Sequence, residues 1–585
     1  MAKTKRQTEK DEIREWFNRI EYAKRVRRDA DEKYGYTKAT QMYQGDYRSA
    51  MPSFVTDVPI IPINEVYSFV KTFIPSVFSR NPHISVNAKG AKHIASSKIW
   101  ELWTNAQWRE LRLKKETRRV IVDACLAEGW MKMGYTATFG SIEPEDGKPK
   151  MDASEYVMDE EIFAKRVSWT NMLRDPDATD GLHDARWVAE RIILPLDAAR
   201  ASTIWDHTET IKAAMVEKTG DEHLEADLRS RISDGARELA VLWYIEDRDS
   251  GRVLTISEGN NRYHMNKPWP YKFDGFSYEL LRFNENPDEP YAPNLITPWV
   301  HQLWEKIKIR AMQLDHLKRF GRQLAAEEGS MTRSEMDKFK KGKTGSVVKY
   351  KKGSQPPVPI PYPQIQADVY GIESRIDLDK DNISGQPNVV RSAPQKTQSR
   401  TLGELDRLTT SFTARQSDPA DRLDEFNSEI AFKLIAVAKQ YMTGEQFVRA
   451  TQKELQEIAQ AFPGQIDSTG VTFTKEDIQK AEFEISIKSG SSLPSDREGK
   501  LQSLLQMVRF GPNIGIIPGS EVSLTVGKGI ISEFDMKEVE VAYDKMINKI
   551  KAQEQVALEA ARGRNDLQQE RIQELKGQGG ELNDL

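Results

Sequence analysis

Over residues 66–73, Val66, Phe69, Val70 and Phe73 recur three and four positions apart, the period of a helix with one buried face. A longer helical pattern runs from about Ile94 to Gly129, with Trp100, Trp103, Trp108, Leu111, Val120 and Leu126 on its buried side. The period then falls to two. Met133–Phe139, Ala240–Ile245, Val253–Ile256 and Phe483–Lys488 are predicted as strands, and Ile84–Ala88 as an extended piece after Pro82. At the N-terminus, Trp16, Ile20, Ala23 and Val26 form a thin apolar stripe among many charges. It predicts either a solvated helix end or an arm that binds another subunit or a partner.

The middle of the chain alternates helices with breakers. Thr297-Pro298 places a cap and an N1 proline at the start of a helix to about Leu324, striped by Ile296, Val300, Leu303, Ile307, Leu314 and Leu317. Pro356, Pro357, Pro359, Pro361 and Pro363 exclude helix farther on, so residues 329–363 form a small module with a short helix at Ser334–Lys341. A second helix is predicted over Gln364–Asn382, with Ile365, Val369, Ile372, Ile376 and Ile383 on one narrow face. That stripe is too apolar to line a wet channel. It is expected to pack on the preceding helix of the same or a neighbouring subunit. A flexible Gly/Pro/Ser-rich loop follows. Thr401 with Glu404 then forms a capping box for a long helix, which Asp418-Pro419 should break or kink. The tail, from 540 to 576, reads as an Ala/Gln/Glu/Lys-rich helix.

Charge adds a second pattern. The whole chain of 585 residues carries a net charge of −4, so any nucleic-acid contact has to be local. Residues 296–322 hold six Lys/Arg against two acids, and residues 363–385 hold five acids against two bases. Glu373, Asp377 and Asp381 lie four apart on one face of the second helix. The loop after it carries Arg391, Lys396 and Arg400 and no acid. The module at 329–352 is lysine-rich, with Lys340, Lys341, Lys343, Lys349, Lys351 and Lys352. It reads equally as a solvated surface or as a patch for an acidic partner or phosphate backbone.

Catalytic and metal chemistry finds little support. Cys125 is the single cysteine, which excludes an intrachain disulfide and a cysteine zinc site. Gly342-Lys343-Thr344 imitates the end of a P-loop, but Asp337 stands where that motif needs glycine. Asp175, Asp177 and Asp180 imitate a calcium loop, yet the sixth position is Asp180 and the twelfth is Arg186. No HExxH pair, GxSxG elbow or dinucleotide fingerprint occurs. No apolar run reaches the length of a membrane span, and the charged start is unlike a secretory signal.

Three stretches together resemble the portal proteins of tailed bacteriophages. The first is Ile60-Ile61-Pro62-Ile63-Asn64-Glu65-Val66-Tyr67-Ser68-Phe69-Val70, running on to Ser79-Arg80-Asn81-Pro82. The second is Val167-Ser168-Trp169 to Asp175-Pro176-Asp177-Ala178, with Ala185-Arg186-Trp187-Val188 after it. The third is the series of helix, Pro-rich insert, helix, loop and long helix at 296–442, where Thr401-Leu402-Gly403-Glu404 stands in place of a Thr-Ala-x-Glu-like start.

The resemblance implies an α+β, mainly helical, multidomain subunit that forms a ring, commonly dodecameric, at one capsid vertex. Carried over, residues 1–54 are an N-terminal arm and 55–295 the first part of a wing. Residues 296–324 are a stem helix, 325–363 a clip, and 364–385 a second stem or channel helix. Residues 386–402 are a channel loop, 403–490 the long kinked helix and the rest of the wing, 491–576 a helical crown, and 577–585 a disordered tail. The resemblance also implies passage of double-stranded DNA without sequence specificity, with Arg391, Lys396 and Arg400 touching DNA and Glu373, Asp377 and Asp381 lining the channel. A terminase packaging motor and then head–tail adaptors would dock at the clip, and major capsid and scaffolding proteins would be further partners. No cofactor, metal, membrane or catalytic role is expected, and the place implied is the virion, after assembly in the host cytoplasm. The competing readings are a non-channel virion or scaffold protein and a DNA-packaging enzyme.

Overall fold

A computed structural model describes residues 5–52, 63–139, 157–214, 238–320, 324–325, 327–341, 349–355, 358–359, 367–385, 402–442, 446–450, 455, 458, 466–467, 470–473 and 483–487. The fold is mixed helix and sheet. The helices used below are α1 (Lys5–Tyr34), α2 (Tyr36–Gln44), α3 (Glu65–Val77), α4 (Ile94–Glu110), α5 (Leu113–Leu126), α6 (Val300–Phe320), α7 (Arg333–Lys341), α8 (Ala367–Ser384) and α9 (Leu402–Tyr441).

Two antiparallel sheets carry most of the strands. The first has the order β3 (Val157–Val167), β2 (Gly129–Phe139), β9 (Tyr278–Leu281). The second runs β4 (Met172–Arg174), β5 (Trp187–Pro195), β6 (Leu239–Asp247), β7 (Arg252–Ser257), β8 (Met265–Pro268). A polar seam joins them. The Tyr278 hydroxyl and the Lys132 ammonium both donate to Glu190 at 2.6 Å, and the Ser277 amide donates to buried Glu246 at 2.9 Å. β1 (Ile84–Ala88) pairs with β12 (Phe483–Ile487), about four hundred positions away in register Ile84↔Ile487. On β1 itself, Asn105 and Glu101 of α4 accept the Ile84 and Val86 amides at 3.2 Å, so side chains occupy polar groups that a further strand would need.

The main core gathers α3, α4, α5, the start of α6 and α9. Val66, Phe69, Val70 and Phe73 pack with Trp100, Trp103 and Trp299, and with Leu423, Phe426 and Ile430 of α9. The helix predicted from Ile94 to Gly129 is two helices. The chain turns at Arg112, which adopts φ 52°, and Gly129 already belongs to β2. The turn lets Trp108 and Leu113 both reach the core, which one straight rod could not do. Of the break or kink expected at Asp418-Pro419, the break does not occur: α9 runs as one helix through Pro419. A proline inside a helix costs about 3 kcal/mol, and burial of Gln416, Ala420, Leu423 and Phe426 on either side offsets that cost.

The stripe on α1 is neither solvated nor waiting for a partner. Ile13, Trp16, Ile20 and Ala23 are buried on the chain's own second sheet, against Trp187, Trp243, Ile245 and Ile256. Arg27 completes the contact by donating to the carbonyls of Thr170 and Met172 at 3.1 and 3.0 Å beside edge strand β4. Residues 386–401 and 488–585, which hold the expected channel loop, crown and tail, lie outside the described residues.

Candidate functional site

The sequence reading converges on residues 296–385, and here two helices form a hairpin. After the short turn Thr297–Trp299, the first half of α6 sinks into the core through Val300, Leu303 and Ile307. Its second half emerges: Leu314 is half-buried and Met312 is exposed. β10 (Leu324–Ala325) then pairs antiparallel with β11 (Val358–Pro359), which closes the base of the small module. α8 returns along α6, so its C-terminal half meets the buried start of α6.

A four-membered ion network fastens that meeting point. Asn64 caps α3, accepting the Tyr67 amide at 2.9 Å, and this places Glu65 in the first turn. A carboxylate is favoured at the positive end of a helix. Lys306 of α6 donates to Glu65 at 3.0 Å and to Asp377 of α8 at 2.6 Å. Lys380, one turn after Asp377, donates to Asp377 at 2.8 Å and also to Glu65. Two carboxylates and two ammonium groups alternate, so the cluster is neutral. Burial opposes the charge on Glu65, but Lys380 and Lys306 outweigh it and hold its pKa below the ordinary value. Asp377 is lowered in the same way, burial being outweighed by hydrogen bonds from Lys306 and Lys380. Lys306 is raised: burial opposes its charge, and Asp377 and Glu65 more than compensate.

This network changes the assignment of the acidic row. Asp377 faces two lysines inside the subunit and is not an unpaired wall charge. Glu373 and Asp381 are half-buried on the same helix. The apolar face divides too. Ile376 is buried against the body, whereas Ile372 is 45% exposed. The inward stripe continues from Ile376 to Lys380, not to Ile383, which is exposed together with Leu378. Ile365 and the side chain of Val369 lie outside the described residues.

In the small module, Glu335 of α7 accepts from Lys338 at 2.8 Å and from the Lys349 amide at 3.2 Å, which ties the helix to the return segment. Those two donors lower the Glu335 pKa. Lys349, Lys351 and Lys352 are exposed, and exposed Tyr350 stands among them. Lys340 and Lys341 belong to α7, but their side chains, like Lys343, are outside the described residues. Arg391, Lys396 and Arg400 are outside them as well. The start of their loop is anchored: Arg415 of α9 donates to the Asn382 carbonyl at 2.7 Å, just before Gly385 with φ 67°.

The sequence reading missed Lys306, Lys380 and Glu65 as a unit. The available signal was a lysine at the helical position that continues the Ile372/Ile376 stripe. The calcium-like loop has a different use: Asp175 accepts from Arg186 Nε at 2.6 Å, and Asp177 from Arg186 at 2.5 Å. Among the described residues no helix is long and apolar enough to cross a membrane. No protein-family model matches the chain, and no curated protein matches it significantly.

Proposed function

We propose that this chain is a portal-type subunit, which assembles into a ring at a capsid vertex and conducts genome DNA during packaging and ejection. In this reading the α6/α8 hairpin is the stem. The module at its far end is the clip, where the packaging motor and then the head–tail adaptors dock. The observation that carries the reading is the hairpin itself. Its root is buried and locked by the Glu65–Lys306–Asp377–Lys380 network, while its far end carries the lysine-rich module. A lock at the root suits a part that must transmit force between a docked motor and the body.

Ring formation draws support from the outward side of the hairpin. Met312, Ile372, Leu378 and Ile383 are exposed within one chain, and helices of neighbouring subunits would cover them. Acidic character on α8 then falls to Glu373 and Asp379, since Asp377 is neutralised. Such charge repels phosphate and keeps DNA from adhering to a wall. The test is the mass of the purified protein by light scattering. The proposal expects a species many times the 66.8 kDa subunit. A monomer that resists crosslinking at high concentration would overturn it.

A further inference from the structure

A cationic corner lies at the opposite end of α3 from the ion network. α3 has 13 residues, so about 20 Å separates its two ends. Arg80 follows the end of α3, which packs on α5; the first turn of α5 carries Lys114 and Lys115, and Arg118 and Arg119 come one turn later. Arg112 makes the turn between α4 and α5. Lys114 and Arg118 are four residues apart and share a face of α5. Arg80, Arg112, Lys115, Arg118 and Arg119 are all exposed.

Two nearby acids, Glu116 and Asp123, already pair with arginines. Glu116 accepts from Arg119 at 3.1 Å and from the Arg166 amide at 3.3 Å. Glu110 accepts from Gln107 at 2.8 Å, and Asp123 holds both arms of Arg166 at 2.5 and 2.9 Å. Among the described residues no carboxylate pairs with Lys114, Lys115 or Arg118. The crowding is felt at Lys114, whose pKa is lowered by burial and then by the charges of Arg118 and Arg80.

We propose that Arg80, Lys114 and Arg118 form a patch that binds the phosphate backbone of double-stranded DNA without reading its sequence. Arginine presents a planar fork that matches phosphate oxygens, and two of the three residues are arginines. A protein partner would need an apolar or aromatic anchor. Among the described residues, none of the exposed large hydrophobic ones falls within 95–203, and Ile94 stands at the far end of α4. The same lack of an exposed aromatic disfavours single strands, which are held by base stacking. The choice of DNA as the polyanion rests on the conduit reading. The patch contains no residue of the loop at 386–402.

The experiment is a fluorescence-anisotropy titration of a labelled duplex with the full-length protein between 50 and 200 mM salt. Three lost phosphate contacts lower the slope of log K against log salt by about 2.7 for each subunit engaged, roughly a 40-fold smaller loss of affinity across that range. R80Q/K114Q/R118Q should show that change, R118K should retain most of the binding, and both should keep the wild-type circular dichroism. An unchanged slope in the triple variant overturns the patch. A slope that falls only in R391Q/K396Q/R400Q overturns it too, while leaving the conduit reading intact. Polyglutamate displacing the duplex at equal charge would transfer the site to an acidic protein. Absence of rings, with the slope change present, would reject the conduit and keep the patch.

Discussion

Replacing Lys380 with methionine removes one of the two cations that hold the α6/α8 hairpin to the body. The lysine side chain is 3% exposed and touches two carboxylates, Asp377 at 2.8 Å and Glu65. Without it, Glu65 and Asp377 share Lys306 alone, at 3.0 and 2.6 Å. Breaking a buried ion pair costs about 3–5 kcal/mol. The lower end applies, because Lys306 still bridges both acids and the Asp377 side chain is 27% exposed. A loss of about 3 kcal/mol corresponds to more than a hundredfold change in an opening equilibrium. The effect should be local, so hydrogen exchange read by mass spectrometry is the suitable assay. Peptides from 367–384 and the start of α6 should exchange about a hundredfold faster, while peptides from β5 and β6 stay unchanged. Glu65→Gln combined with Lys380→Met leaves a neutral Lys306–Asp377 pair, so the double variant should lose less than the sum of the singles. Asp379→Asn, an exposed change on the same helix, is the control. Unchanged exchange in Lys380→Met, or strict additivity in the double variant, would refute the lock.

Further outcomes follow from the same geometry. Glu65 and Asp377 have lowered pKa values when folded, so their contribution is present above their unfolded values and is lost as pH falls through the folded ones. Lys306 is raised, so its share is present below its unfolded value and lost as pH rises through the folded one. Exchange over 367–384 should therefore be slowest relative to the body between about pH 5 and 10. Trp16→Ala removes a buried ring from the α1–sheet contact and should cost about 3–5 kcal/mol by denaturant unfolding. Ile372→Asp, at a position 45% exposed, should leave subunit stability within about 0.5 kcal/mol yet abolish high-mass species on gel filtration. Cys125 is fully buried with its thiol pushed well above the ordinary value, chiefly by burial, so native protein should resist alkylation that denatured protein undergoes.

How much of this was legible in the sequence differs between elements. Strands β2, β6 and β7 and the faces of α3 and α9 could be read, because alternation and 3.6-residue spacing report burial directly. The corner at Arg112 could not, since a left-handed arginine carries no local signature and is imposed by Trp108 and Leu113 packing into one core. Continuity through Pro419 is tertiary as well: the packing around Leu423 and Phe426 overrides a local breaker. The α1 stripe was legible, but its partner was not, because that partner lies more than 150 residues away at Trp187 and Trp243. At the site, the charge reading of α8 counted Asp377 but not the two lysines it pairs with. A carboxylate on a helix looks the same in sequence whether it meets water or a lysine from Lys306's helix.

The most direct measurement is electron microscopy of the purified full-length protein. Closed rings with a central opening wide enough to pass a DNA duplex, and with the lysine-rich module of residues 327–355 at one axial end, are the predicted result. Discrete single subunits, or closed assemblies without an axial opening, would contradict it.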